Sequence, residues 1–150
     1  MKFKKHIDEL YSVYMSKLCE DFDESLESIS AKPDGKNSWT WEYDGIKYRA
    51  SIVKINNIYD FMFGADRNGT IVTGDTHSGH PLKAFAGALD ALKQFIQRDK
   101  PKKWEYCGFY TRDKLYDLFY KRIEREFPYK MYNKHKDGFM IYYQFEKGDK

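Results

Sequence analysis

Trp39-Thr40-Trp41-Glu42-Tyr43-Asp44-Gly45-Ile46-Lys47-Tyr48-Arg49-Ala50-Ser51-Ile52 decides the fold class. On both sides of Asp44-Gly45, apolar or aromatic side chains recur at every second residue. Successive side chains of a strand point to opposite faces, so this alternation describes two strands that each bury one face. Asp-Gly suits a two-residue hairpin, whose central residues take positive φ. The pattern predicts that residues 39–43 and 46–55 pair antiparallel.

Reading onward, Asn56-Asn57 offers a second turn before Ile58–Phe63, and Asp66-Arg67-Asn68-Gly69 a third before Thr70–Thr73, giving a four-stranded meander. Gly74 to His80 is a loop. Pro81 then suits the first position of a helix, and Leu82, Phe85, Ala86, Leu89, Leu92 and Ile96 form a 3.6-residue stripe that ends at Lys100-Pro101. Lys103–Phe109 reads as a short buried strand. Thr111 can cap a helix with Leu115, Leu118, Phe119, Ile123 and Phe127 inward, stopped by Pro128. Tyr129–Tyr132 and Phe139–Phe145 flank Lys136-Asp137-Gly138 as a closing hairpin. Upstream, Phe3, Ile7, Leu10, Tyr14 and Leu18 form one face of an amphipathic helix, and residues 31–38 read as a loop. The expected fold is α+β: a single mixed, mainly antiparallel sheet with an N-terminal helix, a β-meander and then α-β-α-β-β. We expect one domain over 1–150, with a helical segment at 1–30 and the core at 39–146.

Composition agrees with a globular chain. Of 150 residues, 41% are apolar, 33% charged and 18% aromatic, enough for a ring-rich core without disulfides. Cys19 and Cys107 stand alone, in neither a Cys-x-x-Cys nor a paired framework, so both are expected as free thiols. No apolar run approaches the ~20 residues of a membrane span, and Met1-Lys2-Phe3-Lys4-Lys5 leads into polar helix rather than an export segment, so a cytoplasmic protein with no membrane contact is expected. The net charge of +3 divides unevenly: residues 1–75 carry 10 Lys/Arg against 13 Asp/Glu, and residues 76–150 carry 16 against 10. Between Arg98 and Lys136 there are 12 basic and 6 acidic residues, a possible phosphate-attracting region if they share a face and a set of helix-surface ion pairs if they do not.

The order meander, loop, long helix, strand, second helix and hairpin, over Trp39 to Phe145, resembles the second part of the GCN5-related N-acetyltransferase fold. The resemblance implies acetyl transfer from acetyl-CoA to an amine. It places the coenzyme pyrophosphate on the loop and helix start formed by Gly74, Thr76, Gly79, His80 and Leu82, where backbone N–H groups and a helix N-terminus favour an anion. Thr76 stands where the family motif carries Gln or Arg, and Pro81 where it carries Gly or Ala. The family also uses a tyrosine on the penultimate helix to protonate the departing thiolate, which implies Tyr116, with Tyr120 one turn on, as the acid. The Arg/Leu-Tyr/Arg-Lys-rich penultimate helix is similar to that of small phage proteins, so the alternative is a non-catalytic module of the same fold that binds a host protein or nucleic acid.

Other chemistry is thinner. Glu42, Asp60 and Asp66 are candidate bases that the sequence does not rank. Asp75, His77 and His80 sit on a loop without the fixed facing that a helical His-Glu-x-x-His provides, so no metal is expected. Ser78 lacks the flanking glycines of a nucleophile elbow, and there is no nucleotide-binding glycine motif.

Overall fold

The structure, a computed structural model, describes residues 29–72, 81–109 and 113–148. Within them the elements are β1 (Lys32–Pro33), β2 (Ser38–Tyr43), β3 (Ile46–Ile55), β4 (Ile58–Arg67), β5 (Thr70–Val72), α1 (Pro81–Asp99), β6 (Lys103–Phe109), α2 (Asp113–Glu126), β7 (Tyr129–Asp137) and β8 (Met140–Lys147). The strands form one sheet in the order β1-β2-β3-β4-β6-β8-β7, with β5 paired to β4 off this path. Every pairing is antiparallel except β4 with β6. A parallel pair needs a crossover, and α1 is that crossover.

The turns follow from their residues. Asp44-Gly45, Asn56-Asn57 and Asn68-Gly69 all take positive φ at both central positions, as two-residue hairpins of this hand require. Gly138 opens the last turn with φ 64°, and Asp137 pairs with Met140 across it. These turns fix the register that alternation demands. Trp39, Trp41, Tyr48, Ala50, Ile52, Phe61, Phe63, Trp104, Tyr106, Ile141, Tyr143 and Phe145 are therefore buried on one face, under α1 and α2.

Both helices rest on that face. α1 buries Phe85, Ala86, Ala88, Leu89, Ala91, Leu92, Phe95 and Ile96, a wider stripe than the six positions expected, because small alanines let the helix lie close to the sheet. Trp41 exploits this at Gly87: its indole occupies the space a Cβ would need, and its Nε1 donates to the Lys83 carbonyl at 3.1 Å. α2 buries Tyr116, Leu118, Phe119 and Ile123.

Four expectations need correction. Residues 31–38 are not all loop: Lys32 and Pro33 pair with Thr40 and Trp39, with Ala31 held by Asp90 and Gln94 of α1. The strand expected over Ile58–Phe63, β4, runs on to Arg67, since β5 supplies partners for Ala65, Asp66 and Arg67. β7 continues to Asp137 rather than ending at Tyr132, because pairing with β8 carries a polar strand whose own sequence has little alternation. Tyr116, outside the expected inward stripe of its helix, is in the core. The N-terminal helix and Cys19, the loop from Gly74 to His80 and the Thr111 cap lie outside the described residues.

Candidate functional site: a fork between two parallel strands

β4 and β6 run side by side for three residue pairs, Tyr59–Trp104, Asp60–Glu105 and Phe61–Tyr106, and then part. β6 continues beside β8 through Gly108–Ile141. β4 meets β5 only from Ala65 onward. A strand has two edges, and Ala65 pairs with Tyr48 on one and Val72 on the other, so β5 takes the edge of β4 that β6 has left. Between the two, Met62, Phe63 and Gly64 have no strand partner on this edge among the described residues. Gly64 permits the closing contact, since a Cβ there would lie 2.6 Å from the Val72 carbonyl oxygen. The fork opens toward the carboxyl ends of two parallel strands, β6 leading into α2 and β4 into β5 and then α1, a position where open α/β sheets commonly bind ligands.

Aromatic rings gather on the helix side. Phe63 of β4 and Phe85 of α1 contact each other and each contacts both Tyr116 and Phe119 of α2, with Phe85–Tyr116 centroids at 5.3 Å and Phe63–Phe119 at 5.5 Å. Tyr116 can enter because β6 carries Gly108 there: a Cβ would sit 2.1 Å from Tyr116 Cζ. Two hydroxyls tie the first turns of α2 to the sheet. Tyr106 donates to the Tyr116 carbonyl at 2.8 Å, and Tyr143 donates to Asp117 Oδ1 at 2.9 Å, an oxygen that Lys134 also reaches at 2.8 Å. Burial, reinforced by neighbouring Tyr143, holds the Tyr106 phenol well above the ordinary tyrosine range, so it remains a donor.

Of the expected site residues, Tyr116 lies at the fork and is 6% exposed. Tyr120 is half-buried beside Tyr143, centroids 5.9 Å apart. Leu82 is packed against the core in the first turn of α1. Gly74, Thr76, Gly79 and His80 lie outside the described residues. The three carboxylates separate. Glu42 is exposed, and Asp66 is engaged by Arg49 and the Gly69 N–H. Asp60 is half-buried, with its carboxyl pushed up to about 6 by burial and then by Glu105. Tyr106, Gly108, Asp117 and Tyr143 escaped the sequence reading. Gly108 was the available sign, because glycine inside a strand often marks a close approach.

Several basic residues of the 98–136 region are engaged locally: Arg98 with Asp99 and over the Trp39 ring, Arg122 with Glu126, Lys134 with Asp117. Among the described residues no three His, Cys, Asp or Glu side chains gather, and no helix is long and apolar enough to cross a membrane.

No family model and no curated protein matches the chain. Among solved structures it is similar to RimL, a ribosomal L7/L12 α-N-protein acetyltransferase in an apo crystal form, with TM-score 0.36 and 9% identity over 74% of this chain. The chain spans 60% of the length of that structure.

Proposed function

We propose that this chain is an acyltransferase of the N-acetyltransferase fold, moving an acetyl group from acetyl-CoA to an amine. The observation that carries the reading is the fork: two parallel strands that part after three rungs, with Tyr116 inserted where they separate. In the reaction, the amine nitrogen bonds to the thioester carbonyl carbon, the C–S bond breaks, the departing thiolate takes the Tyr116 hydroxyl proton, with Tyr120 the second candidate, and the proton shed by the nitrogen passes to solvent water, from which the phenolate is reprotonated. Backbone amides between Gly74 and Leu82 would hold the coenzyme pyrophosphate, as the family resemblance implies. A ligand strand laid in the fork would find β4 backbone that has no strand partner on that edge among the described residues.

The experiment is calorimetric titration with acetyl-CoA, with coenzyme A for comparison, followed by turnover of Tyr116→Phe and Tyr120→Phe. Saturable binding, with turnover reduced about 10²-fold or more in one of the two variants, supports the reading. One observation favours a second reading, a non-catalytic module that binds a host protein or nucleic acid: β5 already occupies the edge of β4 beyond the fork. Absence of acetyl-CoA binding at about millimolar ligand, a standard-state affinity of only ~4 kcal/mol, favours that reading.

A further inference from the structure

Among the described residues, one short ladder joins the sheet's two halves, β1–β5 on one side and β6, β8 and β7 on the other. Its middle rung places two carboxylates opposite each other, Asp60 and Glu105, on the face away from the helices. Like charges directly opposed on neighbouring strands repel. The same ladder holds both buried side-chain polar atoms that lack a hydrogen-bond partner among the described residues, Asp60 Oδ1 and Trp104 Nε1. The seam is thus the least satisfied junction in the described sheet, and it borders the fork.

We propose that Asp60, set opposite Glu105, makes this seam a proton-dependent joint: firm while Asp60 keeps its proton, loosened when it is charged against Glu105, so that the parting point moves back from Phe61 toward Tyr59.

The surroundings offer the pair little relief. On β3, Asp60 faces uncharged Val53, and Arg49 farther along is held by Asp34 and Asp66. On β6 the next residue of that face is Cys107, whose thiol is pushed up to about 11 by burial, Asp60 and Glu105, and so stays neutral. β8 presents Tyr142, whose phenol is raised first by burial and then by Cys107, Asp137, Asp60 and Glu105, with Glu146 farther on. β7 contributes His135, stacked on Tyr142, and Tyr132, over whose ring Lys103 sits. The Asp60 carboxyl, pushed up to about 6, binds its proton more tightly in the closed seam than in an opened one. Protection of the seam is therefore greatest at low pH and falls as pH rises through about 4 to 6.

The test is hydrogen exchange on the full chain at about pH 5 and about pH 8, corrected for intrinsic rates. Amides of Tyr59–Phe61 and Trp104–Tyr106 are compared with those of the β2–β3 hairpin. We expect seam protection about tenfold lower at the higher pH, with the hairpin unchanged. Asp60→Asn should abolish the difference. Glu105→Gln should shrink it, which keeps the test decisive if the first variant fails to fold. Equal behaviour of seam and hairpin in the wild type, a difference that persists in Asp60→Asn, or one undiminished in Glu105→Gln overturns the proposal. No coenzyme enters the measurement, so it stands or falls separately from acyl transfer.

Discussion

An alanine at Gly108 would place its Cβ 2.1 Å from Tyr116 Cζ and 2.2 Å from Cε2. The obstacle is a ring packed among Phe63, Phe85, Tyr106 and Tyr143, so it has no free rotamer to retreat into. Overpacking of this kind costs about 1–3 kcal/mol. We therefore expect Gly108→Ala to lower the urea midpoint accordingly, and the combination with Tyr116→Leu, which removes the far end of the ring, to be less destabilised than the two single effects added. Strict additivity in that cycle would mean that glycine and ring do not meet. The ring's placement also bears on the proposed function: a ring wedged on all sides keeps its hydroxyl at one place, as proton delivery to a leaving group would require.

At the scale of elements, the hairpin turns carry the register. Gly45 has φ 74° with nothing within 4 Å of an added Cβ, so replacement by alanine tests torsion alone. The expected cost of Gly45→Ala is about 1–2 kcal/mol, read as a shift in the chemical denaturation midpoint without a change in slope. An effect near zero would show that the turn does not need the left-handed conformation. These turns explain why β2 to β4 were legible in the sequence: Asp-Gly, Asn-Asn and Asn-Gly separate runs whose alternation states which face is buried. Helix α1 was legible for the analogous reason, with Pro81 and Lys100-Pro101 at its ends. Strand order was not legible. Nothing in Lys103–Phe109 says that it lies parallel to β4 and beside β8, because alternation reports a strand's faces and not its edges. The candidate site shared this limit. Tyr116 was singled out by its place on the helix, while Gly108, Tyr106 and Tyr143, which hold it there, come from strands whose adjacency only the folded chain reveals. Asp60 was one carboxylate of three until Glu105 appeared opposite it.

For the whole molecule, the aromatic cluster under the helices complements the thin seam. Phe63 touches Phe61 on its own strand, Phe85 on α1 and both Tyr116 and Phe119 on α2, so one side chain links a half-sheet to both helices. Phe63→Ala is expected to cost about 3–5 kcal/mol. Far-ultraviolet circular dichroism and tryptophan fluorescence should still report a single coincident transition, because Trp104, stacked on Phe145 at 4.4 Å, and Trp41, stacked on Tyr48, sit in the same core from opposite ends. Separated transitions would mean that the two half-sheets melt independently, and that the seam is weaker than the cluster can offset.

The order of the strands leaves the sheet with β1 at one end and β7 at the other. β1 is two residues long and ends in Pro33, which has no amide hydrogen to offer a neighbour. β7 is long enough to recruit one, yet it exposes Lys130, Lys134 and Lys136, so a second copy drawn alongside would bring ammonium groups together. Among the described residues, one margin of a ring-rich sheet is thus too short to serve as a template, and the other carries like charges that a second copy paired along it would have to crowd together.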